Sequence, residues 1–156
     1  IGLSMGIMLL ILYSLIRMAQ TGVRGPQGPR TQHLLRQSAT GLYFGWITVA
    51  TIANATALLV SQNFSGWGIA DAQWTSAILL VGAVIASATL IKFKNPMYGI
   101  AVIWALIGIW SKHTDPEQWN FQFPLVIKTT QACLVLVGSA LFYSTYSSFT
   151  PKTTVR

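Results

Sequence analysis

The charges of this chain are sorted by connection, and no other feature constrains its fold as strongly. Five apolar stretches alternate with polar connections, and the connections are alternately rich and poor in Lys and Arg. If all five stretches cross a membrane, most of the 10 Lys and Arg residues fall on one side, namely Arg17, Arg24, Arg30, Arg36, Lys92, Lys94, Lys152 and Arg156. This asymmetry is typical of polytopic membrane proteins.

The composition excludes an ordinary soluble domain. Only 8% of the residues are charged and 53% are hydrophobic, whereas soluble domains carry roughly 25% charged residues. The net charge of +7 does not indicate nucleic-acid binding, because the cations lie at the ends of apolar segments and form no basic stripe. We therefore predict membrane lipids, and no nucleic acid, as partners.

The apolar stretches predict an all-α, polytopic transmembrane helix bundle over residues 1–147, followed by a basic tail over 148–156. A helix needs about 20 apolar residues to cross the hydrocarbon core. The five predicted spans are residues 1–18, 41–61, 74–91, 97–111 and 125–146. Because residue 1 already lies in an apolar run, we expect the sequence to be part of a longer protein.

The fourth apolar segment is short for a full span. Its 15 or so residues reach roughly 22 Å at 1.5 Å per residue. The alternative is a hairpin of the third and fourth segments that dips into the membrane, because Asn95-Pro96 predicts a tight turn with Pro starting a helix.

The positive-inside rule predicts the orientation. The basic connections are expected on the cytoplasmic side, or on the stromal or matrix side in an organelle. The predicted location is accordingly a bacterial inner membrane or an organellar membrane, either thylakoid or mitochondrial.

The second span carries the most informative residue spacing. Trp46, Ala50 and Asn54 recur on one helical face, and Gly41 and Gly45 form a small-xxx-small pair that permits close helix packing. Asn54 is an amide near the middle of the membrane and needs a partner. It either makes an interhelical hydrogen bond that fixes the register of the bundle, or lines a ligand cavity together with Trp46.

Small residues predict two further packing faces. Ala101 and Ala105 give the fourth span a close-packing surface. In the last span, the predicted interhelical face comprises Gln131, Cys133, Gly138 and Ser139.

The sequence LYFGWITVATIAN over residues 42–54 resembles the final core helix of the tryptophan-rich sensory protein or translocator protein family, formerly the peripheral-type benzodiazepine receptors. Tyr98 and the sequence IWALIGI over residues 103–109, which contains Trp104, resemble the extension of the longer members. The resemblance covers roughly residues 1–113 and suggests the C-terminal part of a long-form member.

The resemblance implies a five-helix bundle core that binds porphyrins, sterols or related hydrophobic ligands. Trp46, Ala50 and Asn54 would then face the pocket, with Tyr98 and Trp104 around the ligand. The implied cofactor is a tetrapyrrole such as a porphyrin, haem or chlorophyll. The sequence departs from the family in lacking the early core helices and in having QSAT at 37–40 where a Pro is expected.

Catalysis and multidentate metal binding are not predicted. His33 and His113 fall on opposite sides of the predicted topology, so they cannot share one metal. Either imidazole could act as a single axial ligand to haem iron or chlorophyll magnesium, or lie among lipid headgroups. No nucleophile-base pattern is present in the sequence.

Two functional hypotheses follow from the sequence. In the first, the protein is a membrane sensor or translocator that binds a hydrophobic small molecule. In the second, it is a non-catalytic accessory subunit of a photosynthetic or respiratory complex, and its small-residue faces pack against partner helices and pigments.

Overall fold

The computed structural model describes residues 2–21, 30–62 and 68–149, and these residues fold as an all-α bundle without a strand. The five helices are α1 (Gly2–Thr21), α2 (Arg30–Ser61), α3 (Asp71–Phe93), α4 (Pro96–Thr114) and α5 (Pro124–Phe149). The all-α prediction is confirmed. The connection at 22–29 and the tail from residue 150 lie outside the described residues.

Every helix extends beyond its predicted apolar span at one or both ends. The largest difference is at the start of α2, which begins at Arg30 rather than at residue 41. Residues 30–40 contain neither Gly nor Pro, so nothing in them interrupts a helix. An apolar run in the sequence predicts the part of a helix that lies in the membrane. It does not predict where the helix begins or ends.

Four of the described helices are long and apolar enough to cross a membrane: Gly2–Thr21, Leu34–Leu59, Asp71–Phe93 and Pro124–Ser147. The remaining helix, α4, has 19 residues and carries Lys112 and His113 in its last turn. At 1.5 Å per residue it reaches about 28 Å, close to the thickness of the hydrocarbon core. The lengths of α3 and α4 exceed the roughly 10–14 residues of a segment that only dips into the membrane.

The corner between α3 and α4 is built from three consecutive residues. Lys94 adopts the left-handed conformation, with φ 51°, and its N–H donates to the Leu90 carbonyl at the end of α3. Asn95 caps α4, because its side-chain oxygen accepts the Met97 N–H at 3.1 Å. Pro96 then occupies the first helical position, where its missing N–H costs no hydrogen bond.

Helix α2 packs directly on this corner. The Asn95 amide donates to the Gln37 carbonyl at 3.1 Å. A β-carbon at Gly41 would overlap the Asn95 side chain, and one at Gly45 would lie 2.5 Å from the Tyr98 carbonyl oxygen. Only glycine permits this approach, and the two glycines therefore bring the backbones of α2 and α4 together.

The last helix, α5, packs along both α3 and α4, whereas α1 packs mainly on α2. The most buried residues of α5 recur at helical spacing and are Val126, Thr130, Cys133, Val137 and Ser144. The Ser144 hydroxyl donates to the Leu90 carbonyl at 3.2 Å, the same carbonyl that caps α3. The corner is thereby held from α5 as well as from α2.

The predicted packing face of α5 is wrong in most of its members. Cys133 is fully buried, but Gln131 and Ser139 are exposed and a β-carbon at Gly138 would contact nothing within 4 Å. The buried face is instead formed by β-branched and small residues such as Thr130, whose hydroxyl donates to the Val126 carbonyl at 2.8 Å. That internal hydrogen bond lets a polar residue pack as an apolar one.

We expect Gly45→Ala to destabilise the bundle by about 1–3 kcal/mol, because the added methyl group forces α2 away from α4. The matched control is Gly108→Ala in α4, where a β-carbon would meet nothing within 4 Å. The control should gain roughly 0.5–1 kcal/mol from helix propensity. Unfolding in detergent measures both, and equal stability of the two variants would contradict the close approach.

Candidate ligand-binding cavities between the helices

An apolar cavity of about 300 Å³ lies between α2, α3 and α4. We call it the apolar cavity. Its lining residues are Thr48, Val49, Ile52, Ala53 and Thr56 from α2, Thr75, Ile78, Leu79, Gly82, Ala83 and Ala86 from α3, and Val102, Ala105, Leu106 and Ile109 from α4. No charged side chain is among them.

The cavity lies where α3 faces the packed pair of α2 and α4 with few contacts of its own. The Gly41 and Gly45 contacts fix the end near Asn95, while α3 packs mainly on α5 and makes few contacts with α2 or α4. Along this opening, α3 presents Gly82, Ala83 and Ala86. These side chains are too small to fill the space between α3 and the other two helices.

The hydroxyl groups at the wall of the cavity are engaged by their own helix. Thr48 Oγ1 donates to the Phe44 carbonyl at 2.9 Å, and Thr56 Oγ1 donates to the Ile52 carbonyl at 3.0 Å. Because the hydroxyls are already bonded, a ligand in the cavity would contact the Thr methyl groups. The cavity is therefore suited to an apolar molecule.

Trp46 and Trp104 form a separate groove on the outer surface of α2 and α4. Their ring centroids lie 5.8 Å apart with an interplanar angle of 46°, and they are 49% and 65% exposed. The groove measures about 580 Å³ and is lined by Ala39, Leu42, Tyr43, Trp46, Ile100, Ala101 and Trp104. We call it the Trp46–Trp104 groove, and it opens away from the bundle toward the lipid.

Tyr98 lies inside the bundle. It is 2% exposed, and its ring packs on Phe44 at 4.9 Å between centroids. Phe44 in turn packs edge-on against Phe93 at 6.1 Å. These three rings separate the core from a cleft between α1, α2 and the α3–α4 corner.

This cleft, called the basic-end cleft below, has two adjoining parts of about 270 and 280 Å³. The part nearest the corner is lined by Leu15, Met18, Ala19, Gln37, Thr40, Gly41, Phe44, Thr89, Leu90, Phe93, Asn95 and Tyr98. The second part shares Phe44, Thr89 and Phe93 and adds Leu12, Ile16, Thr48, Ile85, Ala88 and Lys92.

Asn54 contacts α1 instead of a cavity. Its amide nitrogen lies 3.1 Å from the Ser4 hydroxyl oxygen and 3.2 Å from the Met8 sulfur. Ala50 is half-buried on the same helix, and neither residue lines the cavities described above. Among the described residues, the Asn54 amide thus links the first two helices.

The residues predicted to surround one ligand therefore occupy three places. Trp46 and Trp104 share the outer groove, Tyr98 lines the basic-end cleft, and Asn54 faces α1. Eight residues along a helix turn by about 80° beyond two full turns. The side chains of Trp46 and Asn54 therefore point in clearly different directions, although their sequence spacing suggests a shared helix face.

Replacing Asn54 should loosen the attachment of α1. We expect Asn54→Ala to cost about 0.6–1.7 kcal/mol, the range for hydrogen bonds between helices in membranes. A double-mutant cycle with Ser4→Ala should give a coupling energy, because the two side chains are partners. The matched control is Ser14→Ala, since the Ser14 hydroxyl donates within α1 to the Leu10 carbonyl at 2.9 Å. Coupling to Ser14 but not to Ser4 would refute the assignment.

His113 lies at the end of α4 opposite the α3–α4 corner. Its Nδ1 is 2.8 Å from the Ile109 carbonyl oxygen, and its ring stacks on Trp119 at 5.7 Å with an interplanar angle of 14°. The His33 side chain lies outside the described residues. No group of three or more His, Cys, Asp or Glu side chains among the described residues could hold a metal ion.

The connection after α4 is a polar turn. The Asp115 carboxylate accepts the Glu117 N–H at 2.9 Å and the Gln118 amide at 2.9 Å. The backbone hydrogen bond, followed by that of Gln118, holds the pKa of the Asp115 carboxyl below its usual value. Neither Asp115 nor Glu117 lines the apolar cavity.

Sequence reasoning did not identify the apolar cavity. Its α3 wall contains Gly82 and Ala86, whose small size was a usable signal. Small residues also mark close packing, however, and the sequence does not distinguish a helix pair in contact from a helix pair around a void.

The described part of the chain has four long apolar helices, a shorter fifth helix and exposed apolar side chains on its outer surface. These features define an integral membrane helix-bundle protein. A family model described as "TSPO-like protein" matches residues 1–143. The chain therefore belongs to the TSPO-like protein family. No curated protein and no solved structure gives a significant match.

The family match extends further than the resemblance seen in the sequence. The motifs supported similarity over roughly residues 1–113, whereas the match continues to residue 143 and includes most of α5. The last helix lacks the Trp and Tyr spacings that carried the resemblance, so it was wrongly placed outside it.

Proposed function

We propose that this TSPO-like membrane protein binds a hydrophobic small molecule in the apolar cavity between α2, α3 and α4. The observation that carries the proposal is the lining itself, which is formed by aliphatic side chains and by Thr residues such as Thr48 and Thr56, whose hydroxyls are engaged within α2. Ligand cavities in proteins span about 300–1,000 Å³, and this one lies at the small end of that range.

Its size indicates how larger ligands would be accommodated. A sterol or tetrapyrrole requires α3 to move away from α2 and α4, and α3 has few direct contacts with these two helices to lose. A flat ring has a second seat in the Trp46–Trp104 groove, where two indoles offer stacking surfaces. Membership of the TSPO-like family supports the general class of function.

We infer a binding role without catalysis. Among the described side chains, those of Asp, Glu, Lys and Arg lie at or beyond the helix ends or on exposed positions such as Lys128. The apolar cavity contains no acid, base or nucleophile pair. Hydrophobic burial would then be the main source of affinity.

Filling the cavity should abolish binding there. We expect Gly82→Leu to weaken the binding of protoporphyrin IX or cholesterol in detergent at least tenfold, because its side chain enters the space beside Ile52. Gly108→Leu is the matched control, since it adds the same side chain where nothing lies within 4 Å. Equilibrium titration monitored by absorption or by a fluorescent sterol gives the affinities, and circular dichroism checks the fold.

The same titration locates the ligand. If Trp46→Ala and Trp104→Ala weaken binding while Gly82→Leu does not, the ligand occupies the Trp46–Trp104 groove and the cavity assignment fails. If neither Gly82→Leu nor the two Trp substitutions weaken binding, the proposed function itself fails.

The exposed groove supports a second candidate function, that of an accessory subunit in a larger membrane complex. Trp104 is 65% exposed and Trp46 is 49% exposed, so the groove offers aromatic surface to a neighbouring helix or pigment. Stoichiometric co-purification with a complex that is lost in Trp104→Ala would favour this function over a free-standing binding protein.

We further propose that the basic end of the bundle faces the cytoplasm, stroma or matrix. The ends of α1, α2 and α3 that carry Arg17, Arg36 and Lys92 meet around one cleft, and the acidic residues lie at the opposite end. This arrangement agrees with the positive-inside rule.

Cysteine labelling tests the orientation in a Cys133→Ala background. With a membrane-impermeant maleimide on intact cells, we expect Gln118→Cys to react and Lys94→Cys to react only after permeabilisation. The native Cys133 is buried and should stay unlabelled in the unmodified protein. The reverse pattern would overturn the proposed orientation.

A further inference from the structure

We propose that the basic-end cleft binds one anionic phospholipid, with its phosphate between Lys92 and Tyr98 and one acyl chain between α1 and α3. The proposal does not rest on the ligand of the apolar cavity, because the two sites share only Thr48.

The first supporting observation is an unsatisfied hydroxyl. Tyr98 is 2% exposed and forms part of the cleft lining, yet its hydroxyl has no hydrogen-bond partner among the described residues. The Thr48 and Thr89 hydroxyls are the polar groups closest to it. A buried phenol without a partner is costly, and a phosphate oxygen arriving past Thr89 would remove that cost.

The second observation is the charge around the cleft. Lys92 lines it directly, with its ammonium 5.4 Å from the centroid of the Phe93 ring. Arg17 and Arg36 each precede a lining residue, Met18 and Gln37 respectively.

No carboxylate competes for these cations at this end. The chain contains three acidic residues, and all lie toward the opposite end of the bundle, with Asp71 at the start of α3 and Asp115 and Glu117 after α4. Basic residues at a membrane surface attract anionic lipids, so the charge of the cleft complements a phosphate.

The third observation is the gradient of polarity along the cleft. Near the corner its walls include Gln37, Thr40 and Asn95. The second part has Lys92 at its polar end and continues along α3 to Ile85, about two helical turns away, beside Leu12 and Ile16 of α1. A lipid has this same order of groups, with a polar head at the membrane surface and a chain below it. A free anion would leave the apolar part of the cleft unused.

The test is thermal unfolding of the delipidated protein in detergent, with dioleoylphosphatidylglycerol or dioleoylphosphatidylcholine added in mixed micelles. We expect the anionic lipid to raise the midpoint by about 5 °C or more, and the zwitterionic lipid to have a much smaller effect. Equal stabilisation by the two lipids would overturn the proposal.

Variants identify the site. Tyr98→Phe and Lys92→Gln should each weaken phosphatidylglycerol binding at least tenfold, as counted by native mass spectrometry. Two matched controls should retain it: Ser87→Ala removes another buried hydroxyl that has no partner in the described part of the chain, and Lys112→Gln removes a cation at the opposite end of α4. Retention of the lipid by a folded double variant of Tyr98 and Lys92 would refute the site.

Two further controls complete the test. The first distinguishes a lipid from a free phosphate, and the second distinguishes the basic-end cleft from the apolar cavity. Glycerol phosphate alone should not reproduce the shift, and if it does, the cleft is an anion site without a lipid chain. Gly82→Leu should keep the lipid-dependent shift even where it loses a ligand of the apolar cavity. Loss of the shift in Gly82→Leu would mean that the lipid occupies the cavity, contrary to the proposal.

Discussion

The close approach of α2 to the α3–α4 corner is the contact on which the other features of the bundle depend. It requires two glycines one turn apart, Gly41 and Gly45, and an asparagine that caps α4 while donating to the Gln37 carbonyl. In a membrane, where apolar surface is not driven together by water, such close packing and interhelical hydrogen bonding supply the stability. The apolar cavity lies further along the same two helices, where α3 faces them with few contacts.

The polar residues of the helices divide into two groups. Many of the described Thr and Ser side chains, including Thr48, Thr51 and Ser76, donate to a carbonyl one turn earlier and so present an apolar surface to their neighbours. Asn54 and Ser144 instead form hydrogen bonds between helices. Tyr98 belongs to neither group, since its hydroxyl is buried without a described partner. The first group shapes cavities, the second fixes the register of the bundle, and Tyr98 marks a place where a partner is missing.

The fold was more predictable than the site. Hydropathy and charge sorting were sufficient for five helices and a membrane location, because both follow from the cost of placing polar groups in lipid. Helix ends were less predictable, since the polar first turns of α2 continue the helix outside the apolar run. The family could be recognised from a few Trp, Asn and Tyr spacings, but these do not extend into α5, which the family match includes to residue 143.

The positions of the candidate site residues could be predicted only in part. Trp46 and Trp104 were named from sequence, and their rings do lie together. Which neighbouring helix the Asn54 and Tyr98 side chains face depends on the order of the helices around the bundle. The sequence alone does not give that order. For the same reason the cavity could not be identified, because a void is a property of three helices and not of any one of them.

The position of the last helix has a consequence for how the chain is assembled. Leu90 ends α3 with a carbonyl that is shared by Lys94 and by Ser144, and the side chains of Cys133 and Val137 complete the core beside it. Synthesis delivers these α5 residues only after α2, α3 and the corner are already in the membrane. Until then the corner has one of its two supports, so the interior of these helices reaches its final packing only when α5 inserts. Assembly of these five helices therefore depends on α5, and a nascent chain halted before it lacks the Ser144 hydrogen bond to the corner and the Cys133 and Val137 side chains of the core.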